Sequence, residues 1–148
     1  MDSWEGITGG IDSVVFSPDG DIIAYSGGYW DYNNQAIVIW DYENQKVIRK
    51  YQLQSNNWNN IPYNHQIMEL SFSPDSSLLT GLSTSEKGKE VVSLWNAQTG
   101  VHQRMLHSYN GTVMSIAWSP DGKKVAGAIS DGSVLIWNVI TGENVFSL

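Results

Sequence analysis

Short runs of β-branched and aromatic residues recur along the whole chain, each closed by glycine, proline, asparagine, aspartate or serine. No stretch repeats its apolar residues at the helical period of 3.6, so the pattern predicts strands and essentially no helix. The runs fall into a cycle. A strand ("IDSVVF" 11–16, "IMELSF" 67–72, "TVMSIAW" 112–118) leads into "SPDG" at 17–20, "SPDS" at 73–76 and "SPDG" at 119–122. A second strand follows ("IIAYS" 22–26, "LLTGL" 78–82, "VAGAI" 125–129), then a third that closes on tryptophan ("AIVIWD" 36–41, "VVSLWN" 91–96, "SVLIWN" 133–138). Turns such as "NAQTG" and "NVITG" lead to a fourth strand: "KVIRKYQL", "VHQRML" and "ENVFSL". Units that repeat at such a period must bury their faces against one another.

The residues that recur in phase are Ser17, Pro18, Asp19, Trp40 and Asp41; Ser73, Pro74, Asp75, Trp95 and Asn96; and Ser119, Pro120, Asp121, Gly122, Trp137 and Asn138. On these residues the chain resembles the WD-repeat (tryptophan-aspartate repeat) β-propeller family over nearly its whole length. The resemblance implies an all-β fold: three four-stranded antiparallel blades, of about 5–53, 63–106 and 109–148, packed radially as one partial propeller. It also implies a histidine ten residues before the SPD serine, bonded to an Asp between strands two and three. Ile7, Tyr63 and Tyr109 stand at the histidine positions, and Asn34, Lys89 and Asp131 at the acid positions, so only the third blade keeps the acid. Packing, rather than a buried polar network, is expected to hold the blades.

In repeat phase the chain runs once round from Glu5 to Leu148, stopping where a fourth blade would begin. Three blades are fewer than the usual ring of about 4–8. Two bare faces of about 400 Å² each would correspond to on the order of 10 kcal/mol per junction as an upper bound. Either the chain is part of a longer propeller or copies close a ring. A homodimer with six blades is expected, with a nine-bladed trimer the strained alternative.

The long insertions "GGYWDYNNQ" (27–35), "STSEKGK" (83–89) and "QSNNWNNIP" (54–62) all belong on the rim opposite the SPD turns. They and the flanking links bring Tyr29, Trp30, Tyr32, Trp58, Tyr63 and Tyr109 to that rim, interleaved with asparagines. Aromatic anchors beside adaptable polar groups suit a protein or peptide partner. The same rings would equally serve to cap long insertions. Trp30 and Trp58 could alternatively stack on a glycan or small molecule.

Composition narrows the chemistry. A net charge of −7 and a pI near 4.7, with scattered Lys and Arg, argue against nucleic acid. There is no cysteine, hence no disulfide, thiolate catalysis or Cys-ligated zinc. His65, His102 and His107 lack metal spacing and are expected to be solvated. Asp19 and Asp21 fit turn geometry better than calcium, and the "NGT" sequon at 110–112 has no secretion signal beside it. The Gly9–Gly10 and Gly27–Gly28 pairs are expected to serve only backbone freedom at strand ends. Neither a nucleophile elbow nor a phosphate loop is present. Without a signal peptide or membrane segment the chain is expected to be soluble and cytoplasmic. The resemblance implies a non-catalytic scaffold with no cofactor and no metal.

Overall fold

The computed structural model describes residues 7, 9–28, 35–52, 66–84, 90–108 and 111–148. Among them lie three four-stranded antiparallel sheets and no helix. The first blade holds β1 (Gly10–Phe16), β2 (Ile22–Gly28), β3 (Ala36–Asp41) and β4 (Lys46–Gln52). The second holds β5 (Ile67–Phe72), β6 (Leu78–Thr84), β7 (Glu90–Asn96) and β8 (His102–Leu106). The third holds β9 (Val113–Trp118), β10 (Lys124–Ile129), β11 (Val134–Asn138) and β12 (Asn144–Ser147). Each blade is a meander with strands side by side in chain order.

Local chemistry explains the turns between first and second strands. Ser73 Oγ donates to Asp75 Oδ1 at 2.6 Å and accepts from the Leu78 amide at 2.9 Å, while Asp75 also accepts from the Ser77 amide at 3.1 Å. Ser119 and Asp121 repeat the arrangement, as do Ser17 and Asp19. The turn needs a left-handed residue, supplied by Gly20 (φ 84°) and Gly122 (φ 68°). In the second blade Ser76 adopts φ 61° instead, and in the turn after Trp40 Gln45 adopts φ 52° where the other blades have glycine, so the repeat strains a side-chain residue at both places.

Each blade has two faces, because successive strand residues point to opposite sides. One face carries the repeat tryptophan; call it the tryptophan face, and the other the back face. The back face of blade 1 (Ala24, Ile37, Ile39, Tyr51) packs on the tryptophan face of blade 2 (Leu70, Phe72, Leu79, Trp95, Ala97). Leu82, Val92, Leu94 and Leu106 on the back of blade 2 meet Val113, Ile116, Val125, Trp137 and Val139 of blade 3 in the same way. The third strand of the first blade, β3, is therefore apolar on both sides, reading as a continuous rather than an alternating run.

Directional bonds fix each junction. Ser26 Oγ donates to the Ile67 carbonyl at 3.1 Å, and Ser13 Oγ accepts from the Leu70 amide at 3.0 Å. Tyr51 Oη donates to the Ala97 carbonyl at 3.3 Å, and Trp118 Nε1 donates to Thr80 Oγ1 at 3.1 Å. The first strands run along the inside of the arc, β1 against β5 and β5 against β9.

Candidate functional site

The meander sends its connections alternately to two ends of each blade. At one end the SPD turn is bonded to the turn after the tryptophan strand. The Tyr42 amide donates to the Asp21 carbonyl at 3.0 Å, Ala97 to Ser77 at 2.9 Å and Val139 to Lys123 at 3.0 Å. The links between second and third strands, and from blade to blade, leave from the opposite end. Tyr29, Trp30, Tyr32, Trp58, Tyr63 and Tyr109 fall within those links and lie outside the described residues.

The described part of that end contains a feature that strand patterning does not reveal. In β1 the register passes from Ile11↔Gly27 to Ser13↔Ser26, leaving Asp12 as an extra residue. In β5 it passes from Ile67↔Ser83 to Glu69↔Leu82, leaving Met68. In β9 it passes from Val113↔Ile129 to Ser115↔Ala128, leaving Met114. Three bulges in phase re-aim one side chain per blade off the ladder. Asp12 is exposed, as are Met68 and Met114. They stand near the start of the innermost strands, close to the rim that carries the insertions. Polar bonds join the row between blades: Gln66 Nε2 donates to Asp12 Oδ1 at 2.7 Å, and Ser115 Oγ to Glu69 Oε1 at 3.4 Å. Flexible thioethers beside carboxylates make an adaptable contact surface.

The repeat-defining residues divide by role. Pro18, Pro74 and Pro120 sit in the SPD turns, where a fixed φ suits the bend. The carboxyls of Asp19, Asp75 and Asp121 are held below the usual aspartate range, chiefly by the serine hydroxyl bonded to each. Trp95 and Trp137 are sealed at 1% exposure, whereas Trp40 is only partly covered. Trp137 Nε1 donates to the His107 backbone carbonyl at 3.0 Å, a bond from the third strand to the link that precedes the blade. The Trp95 indole N–H is buried without an acceptor among the described residues, and the position equivalent to His107 is Ile61, outside them. Asp131 accepts from the amide and hydroxyl of Ser133, at 2.9 and 2.6 Å, so the retained acid closes its own turn.

Two expectations need correction. His102 is not a solvated histidine: it is half-buried, edge-on to Trp95 at 5.9 Å between ring centroids, and burial lowers its pKa. Gly27 does more than lend freedom at a strand end. A Cβ there would lie 2.1 Å from the Gly10 carbonyl oxygen, so β1 and β2 approach too closely for any side chain. Among the described residues no group of three His, Cys, Asp or Glu side chains could hold a metal ion. Nor is any helix among them long and apolar enough to cross a membrane.

Comparison with known proteins agrees with this geometry. The family described as "WD domain, G-beta repeat" matches residues 2–41 and 100–138, together more than half of the chain. Retinoblastoma-binding-like protein E of Dictyostelium discoideum is 37% identical over 78 residues, 53% of this chain and 14% of that protein. Coronin-7 of Mus musculus is 32% identical over 75 residues, 51% of this chain and 8% of its own length. The chain thus matches only a small part of these relatives. The crystal structure of RRP9 WD40 repeats superimposes with a TM-score of 0.76 at 19% identity, covering 97% of this chain and 40% of that one. The in-phase turns, the paired blade faces and these matches lead to one conclusion: the chain belongs to the WD-repeat family, as a partial β-propeller.

Proposed function

We propose that the chain is a non-catalytic interaction scaffold, acting in the cytoplasm, whose insertion-bearing rim receives a protein or peptide. The observation that carries this reading is the row of in-phase bulges, which exposes Asp12, Met68 and Met114 beside that rim. Trp30, Trp58 and the four tyrosines at 29, 32, 63 and 109 supply the anchors, and the bulge row supplies an adaptable inner margin. The carboxylates of Asp12 and Glu69 favour a segment that carries a basic residue next to an apolar one. Residues 1–148 act as one unit, and a second copy completes the ring of six blades.

A random peptide library panned on the immobilised chain tests the reading. Enriched peptides should lose at least tenfold in affinity with Trp30→Ala or Met114→Asp. They should be unaffected by Ile140→Asp, which alters an exposed residue on the turn after Trp137 at the SPD end. Peptides that respond only to Ile140→Asp would place the binding surface at the wrong end. Enrichment on a glycan array instead, lost with Trp30→Ala and Trp58→Ala, would favour a sugar ligand.

A further inference from the structure

Ser108 carries a buried hydroxyl that the fold leaves unused. Its Oγ is closed off from solvent and has no hydrogen-bond partner among the described residues. A buried polar atom in that state calls for a partner from outside the fold's own bonds. Ser108 borders a cavity of about 150 Å³ beside β11 and β12, large enough for the end of one long side chain. The apolar members of its lining, Ile129 and Leu135, belong to the packed cluster between blades 2 and 3. The cavity therefore lies at an internal junction and not on an outward blade face.

The rest of the lining is polar. Asp131, Asn144 and Ser147 join Ser108 there, and Asp131 brings the one carboxylate. Asp131 Oδ1 is engaged by the amide and hydroxyl of Ser133, at 2.9 and 2.6 Å, while Oδ2 has no donor among the described residues. The Ser133 hydroxyl bond holds this carboxyl in its ionised form, below the usual aspartate range. Asn144 Oδ1 accepts from the Phe146 amide at 3.1 Å. We propose that the cavity takes a primary ammonium group, the end of a lysine side chain supplied by a protein or peptide partner. The inference rests on the scaffold reading only for the source of that lysine, and not on what the bulge row receives.

Charge and hydrogen-bonding capacity select this group. One carboxylate balances one positive charge and repels an anion. A divalent metal ion is poorly served, since no group of three His, Cys, Asp or Glu side chains among the described residues could hold one. An ammonium has three donors, which suit a free carboxylate oxygen and the hydroxyls of Ser108 and Ser147. A guanidinium prefers both oxygens of one carboxylate in a planar fork, and here Oδ1 is already taken by Ser133. Ile129 and Leu135 offer the apolar wall along which a lysine lays its methylene stem. Asp131 and Ser133 lie between β10 and β11, at the end that carries the insertions, so the cavity stands on the same end as the rim.

Titrating Nα-acetyl-lysine N-methylamide into the nitrogen-15-labelled chain tests the site. The amide signals of Ser133 and Phe146, which report on Asp131 and Asn144, should move with the probe. Its Nε-acetylated form should leave them in place, and the arginine counterpart should bind more weakly. Asp131→Asn keeps an acceptor for Ser133 but removes the charge, and should weaken the probe by about tenfold or more, the scale of a hydrogen bond to a charged group. Ser108→Ala should weaken it too while holding or raising the melting temperature, because the lost hydroxyl bonds nothing in the fold. Asp12→Asn and Glu69→Gln, in the bulge row, should change nothing. Signals that stay still, or that respond to Asp12→Asn in place of Asp131→Asn, overturn the inference. An arginine probe that binds as tightly as lysine overturns the choice of ammonium, and a lower melting temperature for Ser108→Ala overturns the free hydroxyl. Loss of rim-directed peptides with the lysine shifts intact overturns only the rim reading.

Discussion

Trp137 lies across the backbone of Gly127 so closely that a Cβ at that glycine would stand 2.6 Å from the indole ring. Gly81 holds the same relation to Trp95 at 2.7 Å. The first blade has Tyr25 at this position, and Trp40 there is only partly buried. Gly127→Ala and Gly81→Ala should therefore each lower stability by about 1–3 kcal/mol, the usual cost of overpacking a fitted core. Urea denaturation of both variants measures it. A change below about 0.5 kcal/mol, the scale of an ordinary surface substitution, would mean that the indole gives way freely.

The SPD turns should make the fold sensitive to acid. The carboxyls of Asp19, Asp75 and Asp121 sit below their ordinary value of 3.8 because serine hydroxyls bond to the ionised form. A depressed carboxyl contributes stability in full above its unfolded pKa and loses it as pH falls through the lower folded value. Stability should accordingly drop as pH goes below about 3.8. Replacing all three by asparagine should lower stability at neutral pH and shrink the drop in acid. An unchanged acid profile in the triple variant would assign the acid transition to other groups.

His102 should titrate below 6.5, since burial against Trp95 disfavours its charged form. With the folded pKa depressed, the unfolded chain binds the proton more readily, so stability is complete above pH 6.5 and erodes as pH falls through and below it. Proton NMR of the imidazole gives the midpoint directly. A midpoint at or above 6.5 would contradict the half-buried placement.

Trp30 and Trp58 separate anchor from cap. Truncating an anchor to alanine should weaken binding of a rim-selected peptide by about 2 kcal/mol or more while barely moving the melting temperature. A ring that caps its own insertion should instead cost about 1–3 kcal/mol of stability and leave affinity intact. Measuring both quantities on each variant assigns each tryptophan to one role.

Strands and turns were legible in the sequence because both are local. The period-2 or continuous apolar runs and the Ser-Pro-Asp bends are set by neighbours within a few residues, and all three copies agree. The in-phase bulges were not legible. Asp12, Met68 and Met114 lie inside ordinary strand patterns, and only the hydrogen-bond register against the second strand reveals them as extra residues. The burial of His102 is not legible for a related reason: its cover comes from Trp95, on the strand beside it, and no spacing in the fourth strand signals that contact. Gly27 likewise depends on how closely two strands approach, which composition does not encode.

The backbone bonds that join each SPD turn to the turn after the tryptophan have a consequence for how such a chain can change. The serine, aspartate and backbone groups bonded at that end are committed to closing bends, so substitutions of those residues act on folding. The opposite end is built from connections whose length is nearly free, since each doubling of a loop costs only about 0.6 kcal/mol. Sequence inserted in the connections that follow Gly28, Gln52 or Thr84 should leave the bonded end undisturbed. Divergence between copies of this domain should accumulate at one pole and stay scarce at the other.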